Sequence, residues 1–180
     1  TCFDKIICFI GRIFVDMTKA VYDIFMENGE DTQKDKYLIF ILANEFYGID
    51  IKYVIEIIGI QPISKIPELP EYIKGIINLR GKIIPIMDVR LRFKEEYREY
   101  NNRTCIVVIE VEDVTIGLVV DSVLEVVDIP DFEIVEPPEI GNHKNRFIKG
   151  IGKSPNSIKL LLDCNKLLSD EEVNIFSDNI

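Results

Sequence analysis

Two stretches of this chain occur twice, and this duplication constrains the fold more than any other feature. Residues 48–58 match residues 117–127 without a gap, with glycine at the first position of both. Residues 75–93 have a degenerate copy in residues 150–168, which keeps the apolar skeleton and one aspartate. A pattern that repeats in the same order predicts two similar halves, each built from the same series of elements.

Both halves are rich in short runs of β-branched and aromatic residues that are separated by turn residues, which is typical of β-strands. Five strand candidates fall in each half: Tyr37–Ala43, Phe46–Ile51, Tyr53–Ile60, Gly75–Leu79 and Ile83–Met87, then Cys105–Val111, Val114–Val120, Ser122–Ile129, Gly150–Ile151 and Ile158–Leu162. Small sheets of this kind avoid exposed edges by closing into barrels. The sequence therefore predicts a mainly β fold of two tandem five-stranded β-barrels that pack on a shared apolar seam.

Turns and short helices complete the prediction. We expect hairpin turns at Asn44-Glu45, Arg80-Gly81 and Glu112-Asp113. Asp88 is placed to cap a brief helical turn over residues 88–93. The motif Ser169-Asp-Glu-Glu172 is a capping box for a short C-terminal helix.

Residues 1–34 differ from the rest of the chain. Apolar residues recur at helical spacing over residues 3–25, which predicts an amphipathic helix, and a polar linker follows. The alternative is that translation starts at Met26 and that the upstream segment is a gene-start artefact.

The charge of the chain argues against nucleic-acid binding. The formal net charge is −10, whereas a protein that binds phosphates needs basic charge. The charge is unevenly spread, at −2 over residues 1–36, +1 over residues 37–103 and −9 over residues 104–180. The four cysteines show no CxxC spacing, so they indicate reduced, buried thiols and neither a zinc site nor a disulfide framework.

No motif for catalysis, a metal or a cofactor emerges. Gly75–Lys82 superficially resembles a phosphate-binding loop, but five residues separate its glycines and Ile83 occupies the position of the magnesium-binding hydroxyl. His143 is the only histidine and has no nucleophile motif near it. Carboxylate pairs such as Glu95-Glu96 lie in charge runs that are typical of solvated faces. We therefore expect a non-enzyme with no cofactor.

The turn Asn78-Leu-Arg-Gly81 is the candidate site, because the second copy of the repeat lacks it. An arginine in such a turn can make a bidentate contact with a partner carboxylate. Two structural alternatives stay open: a solvated arginine, or one paired internally with Glu56 or Asp88. By period-2 alternation, Val54, Glu56 and Ile58 share a face of their strand and form a second candidate surface.

At these residues the chain resembles the CheW family of bacterial chemotaxis adaptors. The resemblance covers about residues 35–172 and rests on the following motifs: Tyr47-Gly-Ile-Asp-Ile51 with Val54 and Glu56, Ile73-Lys-Gly-Ile-Ile-Asn-Leu-Arg-Gly81, Pro85 with Asp88-Val-Arg90, and Gly117 with Val119-Val-Asp121. The resemblance implies SH3-like barrels, a first over residues 35–96 and a second over residues 103–168, in a CheW-like domain over residues 35–176. The amphipathic segment over residues 1–25 departs from the family pattern.

The resemblance also implies a function and a site. Members of the family join the cytoplasmic tips of methyl-accepting chemotaxis receptors to the regulatory domain of the histidine kinase CheA, without catalysis. The implied location is the cytoplasm, at receptor arrays beneath the inner membrane, with only indirect membrane association through the receptors. One barrel packs on a barrel of the kinase, and the groove between barrels takes a receptor helix. The implied partner-binding residues are Val54, Glu56, Gly75, Asn78, Arg80 and Gly81.

Two other functions compete with this interpretation. A small-ligand module would use the groove between the barrels and would need polar groups that converge there. An enzyme would need an activated nucleophile or a metal. The sequence supplies no candidate residues for either.

Overall fold

The structure, a computed structural model, describes residues 33–138, 147–154 and 157–168. The strands are β1 (Lys36–Leu42), β2 (Glu45–Asp50), β3 (Val54–Gly59), β4 (Ile73–Leu79), β5 (Lys82–Asp88), β6 (Cys105–Val111), β7 (Val114–Val120), β8 (Ser122–Asp128), β9 (Ile134–Val135), β10 (Ile148–Ser154) and β11 (Ser157–Leu162). Two short helices, α1 (Val89–Arg92) and α2 (Cys164–Leu167), follow β5 and β11, and 3-10 turns cover Ile51–Tyr53 and Asp131–Glu133. The prediction of a mainly β fold with short helical turns is confirmed. The predicted helix within residues 3–25 and the capping box at Ser169 lie outside the described residues.

Three hairpins close through two-residue turns in which both residues have positive φ. These turns are Ala43-Asn44, Arg80-Gly81 and Glu112-Asp113. Positive φ at both positions makes the backbone of the turn twist in the same sense as the flanking strands. The predictions at Arg80-Gly81 and Glu112-Asp113 are confirmed, and the first turn lies one residue earlier than predicted.

The strands form two sheets. One has six strands in the order β8-β1-β2-β11-β10-β9, and the other has five in the order β3-β6-β7-β5-β4. Most neighbours are antiparallel, but β2 runs parallel to β11 and β5 runs parallel to β7. Parallel neighbouring strands need a long connection. In both parallel pairs here, the two strands come from hairpins that are far apart in the sequence.

The boundaries predicted for the two barrels are wrong, because each half of the chain contributes to both sheets. The hairpin β1–β2 pairs with β8 and β11 of the second half, and the hairpin β6–β7 pairs with β3 and β5 of the first half. The physical reason lies in the connections. Only Ile51–Tyr53 separates β2 from β3 and only Asp121 separates β7 from β8, so the chain passes directly into the other sheet.

Two glycines allow the parallel pairs to pack closely, and they occupy equivalent positions of the repeat. A Cβ on Gly48 would lie 2.8 Å from a methyl of Leu161, and a Cβ on Gly117 would lie 2.6 Å from a methyl of Ile86. Each glycine pairs with that same residue across the parallel ladder. The two halves of the repeat therefore have equivalent arrangements, because each half contributes one hairpin to a sheet that it shares with the other half.

Each sheet has its own apolar core. In the five-stranded sheet the buried cluster comprises Ile77, Ile84, Ile86, Ile106, Val108 and Val119. In the six-stranded sheet it comprises Tyr37, Ile39, Ile129 and Leu161. Because strands from both halves supply each cluster, neither half has a complete core on its own.

Candidate functional site

The Arg80 turn lies at the end of the hairpin β4–β5. Arg80 has φ 53° and Gly81 has φ 90°. The Asn78 side-chain oxygen accepts a hydrogen bond from the Gly81 backbone N–H at 2.8 Å, which stabilises the turn. An arginine in the left-handed region costs about 1 kcal/mol, so the turn holds Arg80 in an unusual backbone conformation. Its side chain remains 77% exposed.

Arg80 forms a bidentate ion pair with Glu56. Its two terminal nitrogens donate to the two carboxylate oxygens at 3.1 and 2.9 Å. Of the alternatives left open by the sequence, the internal pair with Glu56 is the one observed. The two residues come from opposite edges of the five-stranded sheet, since β3 and β4 are its outer strands. The ion pair therefore joins the two edges of this sheet.

The ion pair contributes to orientation more than to stability. The Glu56 side chain is 21% exposed and the Arg80 side chain 77%, so water screens the attraction between them. Exposed pairs of this kind contribute up to about 1 kcal/mol. The fork-to-fork geometry does fix the direction of the guanidinium group. Arg80 is thus an oriented and accessible cation at the tip of a hairpin.

Asp88, the other candidate partner of Arg80, is fully occupied elsewhere. It is 1% exposed, and its Oδ1 accepts from the backbone N–H groups of Arg90 and Leu91 at the start of α1. Its Oδ2 accepts from the hydroxyl of Tyr100 at 2.7 Å. The prediction that Asp88 caps a helical turn is confirmed.

Gly75 lies in β4, at a point where another segment of the chain closely approaches the hairpin. Its φ is +136°, and a Cβ would lie 2.0 Å from the backbone oxygen of Ser64. Ser64 and Ile76 exchange two backbone hydrogen bonds of 2.9 Å directly beside it. Only glycine permits this approach of the Ser64 segment to β4. Gly75 is buried, so its contribution to any surface is indirect.

The predicted face of Val54, Glu56 and Ile58 does not exist as one exposed surface. Val54 is 2% exposed, and Ile58 is half-buried and packs on the core of the five-stranded sheet. The physical reason is a bulge in β3, since the pairing with β6 shifts by one residue between Val54 and Glu56. A bulge breaks the alternation of faces on which the prediction rested. The structure brings Asn78, Arg80, Gly81 and Glu56 together at the surface.

Two exposed apolar residues that the sequence did not single out lie on β3, which holds Glu56, and on β5, which follows the Arg80 turn. Ile55, next to Glu56, is 43% exposed, and Ile83, which pairs with Asn78 across the hairpin, is 40% exposed. Both were assigned to apolar strand runs, where an outward-facing residue looks the same as a core residue. Arginine and exposed apolar residues are both typical of protein-binding surfaces.

Metal-ligand clusters, membrane-spanning helices and unpaired buried polar side chains are all absent from the described part of the chain. It contains no group of three or more His, Cys, Asp or Glu side chains that could bind a metal ion. No helix within residues 33–138, 147–154 or 157–168 is long and apolar enough to cross a membrane. In those same ranges, every buried side-chain nitrogen and oxygen has a hydrogen-bond partner.

Comparison with known proteins gives a consistent result. The family model of the CheW-like domain matches residues 36–172. The chain is 36% identical over 151 residues to the chemotaxis protein CheW of Klebsiella aerogenes, which covers 83% of this chain and 90% of that protein. It is 34% identical over 139 residues to the chemotaxis protein CheW of Treponema pallidum, with 74% and 82% covered.

A solved structure agrees with these sequence relatives. The crystal structure of the scaffolding protein TtCheW from Thermoanaerobacter tengcongensis superimposes with a TM-score of 0.71 at 38% identity, over 77% of this chain and 96% of that chain. The family model and the two sequence relatives also span most of the described residues. This chain therefore belongs to the CheW-like family of chemotaxis scaffold proteins.

Proposed function

We propose that this chain is an adaptor that joins methyl-accepting chemotaxis receptors to the regulatory domain of the histidine kinase CheA. Its membership of the CheW-like family is the observation that carries the proposal. The scaffolding name of the solved relative supports a non-catalytic role. The proposed location is the cytoplasmic face of the inner membrane, within receptor arrays.

The Arg80 turn is the proposed contact surface for a protein partner. Arg80 has a fixed direction through Glu56 and stays 77% exposed, so it can meet a carboxylate with little further loss of side-chain freedom. Ile55 in β3 and Ile83 in β5 add exposed apolar area on the strand that holds Glu56 and on the strand that follows the turn. Asn78 and Gly81 shape the turn, whereas the buried Val54 and Gly75 support it from below.

The proposed mechanism needs only differential binding. An adaptor that contacts both receptor and kinase places them in one assembly, and a shift in the receptor then changes the conformational equilibrium of the kinase. Unlike contact surfaces on the adaptor and the kinase generate heterologous interfaces, which close into rings when the rotation permits.

Calorimetric titration with two separately purified partners tests the proposal. The probes are the regulatory domain of the kinase and a receptor cytoplasmic fragment that includes the tip. We expect saturable binding of each probe to the intact chain. Heat of dilution alone with both probes would contradict the adaptor function.

A further inference from the structure

Asp121 occupies a crossing point between the two sheets. It is the single residue between β7 of the five-stranded sheet and β8 of the six-stranded sheet. Its backbone N–H donates to the carbonyl of Ile41 in β1 at 3.1 Å. Its Oδ2 accepts from the backbone N–H of Ala43, in the turn between β1 and β2, at 3.1 Å. The residue is thus tied firmly to the six-stranded sheet.

The same carboxylate also binds Arg90, which follows the last strand residues of β5 in the five-stranded sheet. Arg90 lies in α1, directly after β5, and its Nε donates to Asp121 Oδ1 at 2.8 Å, while a terminal nitrogen donates to Oδ2. The two side chains are 12% and 19% exposed, respectively. This pair is therefore less screened than the pair at Arg80, and removal of one partner leaves a largely desolvated charge. Arg98, 52% exposed, lies 3.9 Å from Oδ2 and gives weaker support.

The residues that follow Arg90 make further contacts with elements of the six-stranded sheet. Arg92 Nε donates to the carbonyl of Leu167 in α2 at 2.9 Å. The ring of Phe93 lies between those of Tyr47 and Phe147, with centroids 5.5 and 5.3 Å away. A segment of four residues thus connects the end of β5 to Asp121, to Tyr47 of β2, to Phe147 before β10 and to Leu167 of α2.

Strand β5 links this segment to the Arg80 turn. It begins at Lys82, directly after Gly81, and ends at Asp88, directly before α1. On the other side of the Arg90–Asp121 ion pair lies β8, which follows Asp121 and is an outer strand of the six-stranded sheet. Leu124 of β8 is 40% exposed. A single strand and the Arg90–Asp121 ion pair therefore lie between the Arg80 turn and β8.

We propose that the ion pair between Arg90 and Asp121 is a latch that couples the Arg80 turn to the outer strand β8. While the ion pair between Arg90 and Asp121 is intact, a change at the Arg80 turn alters how readily β8 separates from β1. Without the latch, the two surfaces respond independently. Because the coupling is internal to this chain, it can be tested without any partner.

Amide hydrogen exchange in a two-by-two set of variants tests the latch. The proteins are the unaltered chain, Arg80→Ala, Asp121→Asn and the double variant, and the reporters are the amides of β8. In the presence of Asp121, we expect Arg80→Ala to raise exchange at these reporters by about threefold or more. In the Asp121→Asn background, the same change should have almost no effect. Amides of the pair β6–β7 serve as an internal reference.

Two further variants keep the test decisive. Glu110→Gln removes an exposed carboxylate of β6 and should leave the response to Arg80→Ala unchanged. If Asp121→Asn alone does not fold, Arg90→Gln combined with Asp121→Asn removes both charges and leaves none unpaired. An equal response to Arg80→Ala with and without the ion pair, or no response in either background, would overturn the latch. Neither result depends on whether the kinase or a receptor binds.

Discussion

Glu56 and Arg80 lie 24 residues apart in the sequence and meet as a bidentate ion pair that joins the two outer strands of one sheet. The pair directs an accessible guanidinium group from a hairpin tip whose backbone is fixed by Asn78 and Gly81. The second copy of the hairpin has no arginine at the equivalent position of the sequence.

Charge reversal at Arg80 separates binding from folding. We expect Arg80→Asp to leave the melting temperature within a few degrees of the original value, because an exposed ion pair contributes up to about 1 kcal/mol. Affinity for the kinase regulatory domain or for the receptor fragment should fall about tenfold or more, since an aspartate repels the carboxylate that Arg80 would meet. Calorimetric titration measures this loss. Lys153→Asp, an exposed change in the second copy of the hairpin, is the matched control. Unchanged affinity of the Arg80 variant for both probes would contradict the assignment of the turn.

A methyl group at Gly75 should be far more harmful than one at Gly59. In Gly75→Ala the Cβ would lie 2.0 Å from the Ser64 carbonyl oxygen at a φ of +136°, so the backbone must move. We expect a loss of about 3 kcal/mol or more in the free energy of unfolding. Gly59 has open space around its Cβ position, and Gly59→Ala should change stability by less than about 1 kcal/mol. Urea unfolding measures both changes, and equal values would show that the close approach at Ser64 does not constrain the fold.

The hydroxyl of Tyr100 should remain protonated in alkaline solution. Burial, with a further contribution from the hydrogen bond to Asp88, raises the pKa of Tyr100 above its ordinary value. Its stabilising contribution is complete below the unfolded pKa of about 10 and is lost as the pH rises towards the folded value. Phenolate absorbance up to about pH 11 should therefore be the same for Tyr100→Phe and the unaltered folded chain. The two proteins should differ only after unfolding. A smaller native titration step in the variant would show that Tyr100 ionises normally.

The Cys164 thiol should be inert in the folded protein. Burial raises the pKa of Cys164 to about 12, and the residue is 1% exposed. The thiolate is the reactive form, so we expect no alkylation of Cys164 by iodoacetamide at about pH 8 in the native state and rapid alkylation in urea. Peptide mass spectrometry distinguishes Cys164 from the other cysteines. Fast native labelling at this position would contradict its burial at the start of α2.

The hairpins and the helix cap could be predicted because short-range patterns determine them. Turn residues mark Arg80-Gly81 and Glu112-Asp113, and Asp88 has the side chain and position of a cap. The exchange of hairpins could not be predicted in this way, since Leu161 and Ile86 look alike as strand partners for Gly48. At the end of β7, the few residues around Asp121 determine whether the chain turns back or continues into the other sheet.

The Arg80 turn could be predicted from the sequence, whereas the residues that surround it in the structure could not. The missing second copy of the Arg80 turn located it, and the pair with Glu56 was one of several open alternatives. The bulge in β3 separates Glu56 from the inward face of Val54, and no local residue pattern indicated it. The repeat alone could not distinguish the outward-facing Ile83 from its buried neighbours.

The adaptor function is tested most directly by co-purification with this chain as bait, in a lysate that contains the kinase and its receptors. The account predicts that a histidine kinase and a methyl-accepting receptor are recovered together with the unaltered chain and with Lys153→Asp. Recovery of at least one of them should fall with Arg80→Asp. If the unaltered chain retains neither the kinase nor the receptor, the adaptor function is wrong.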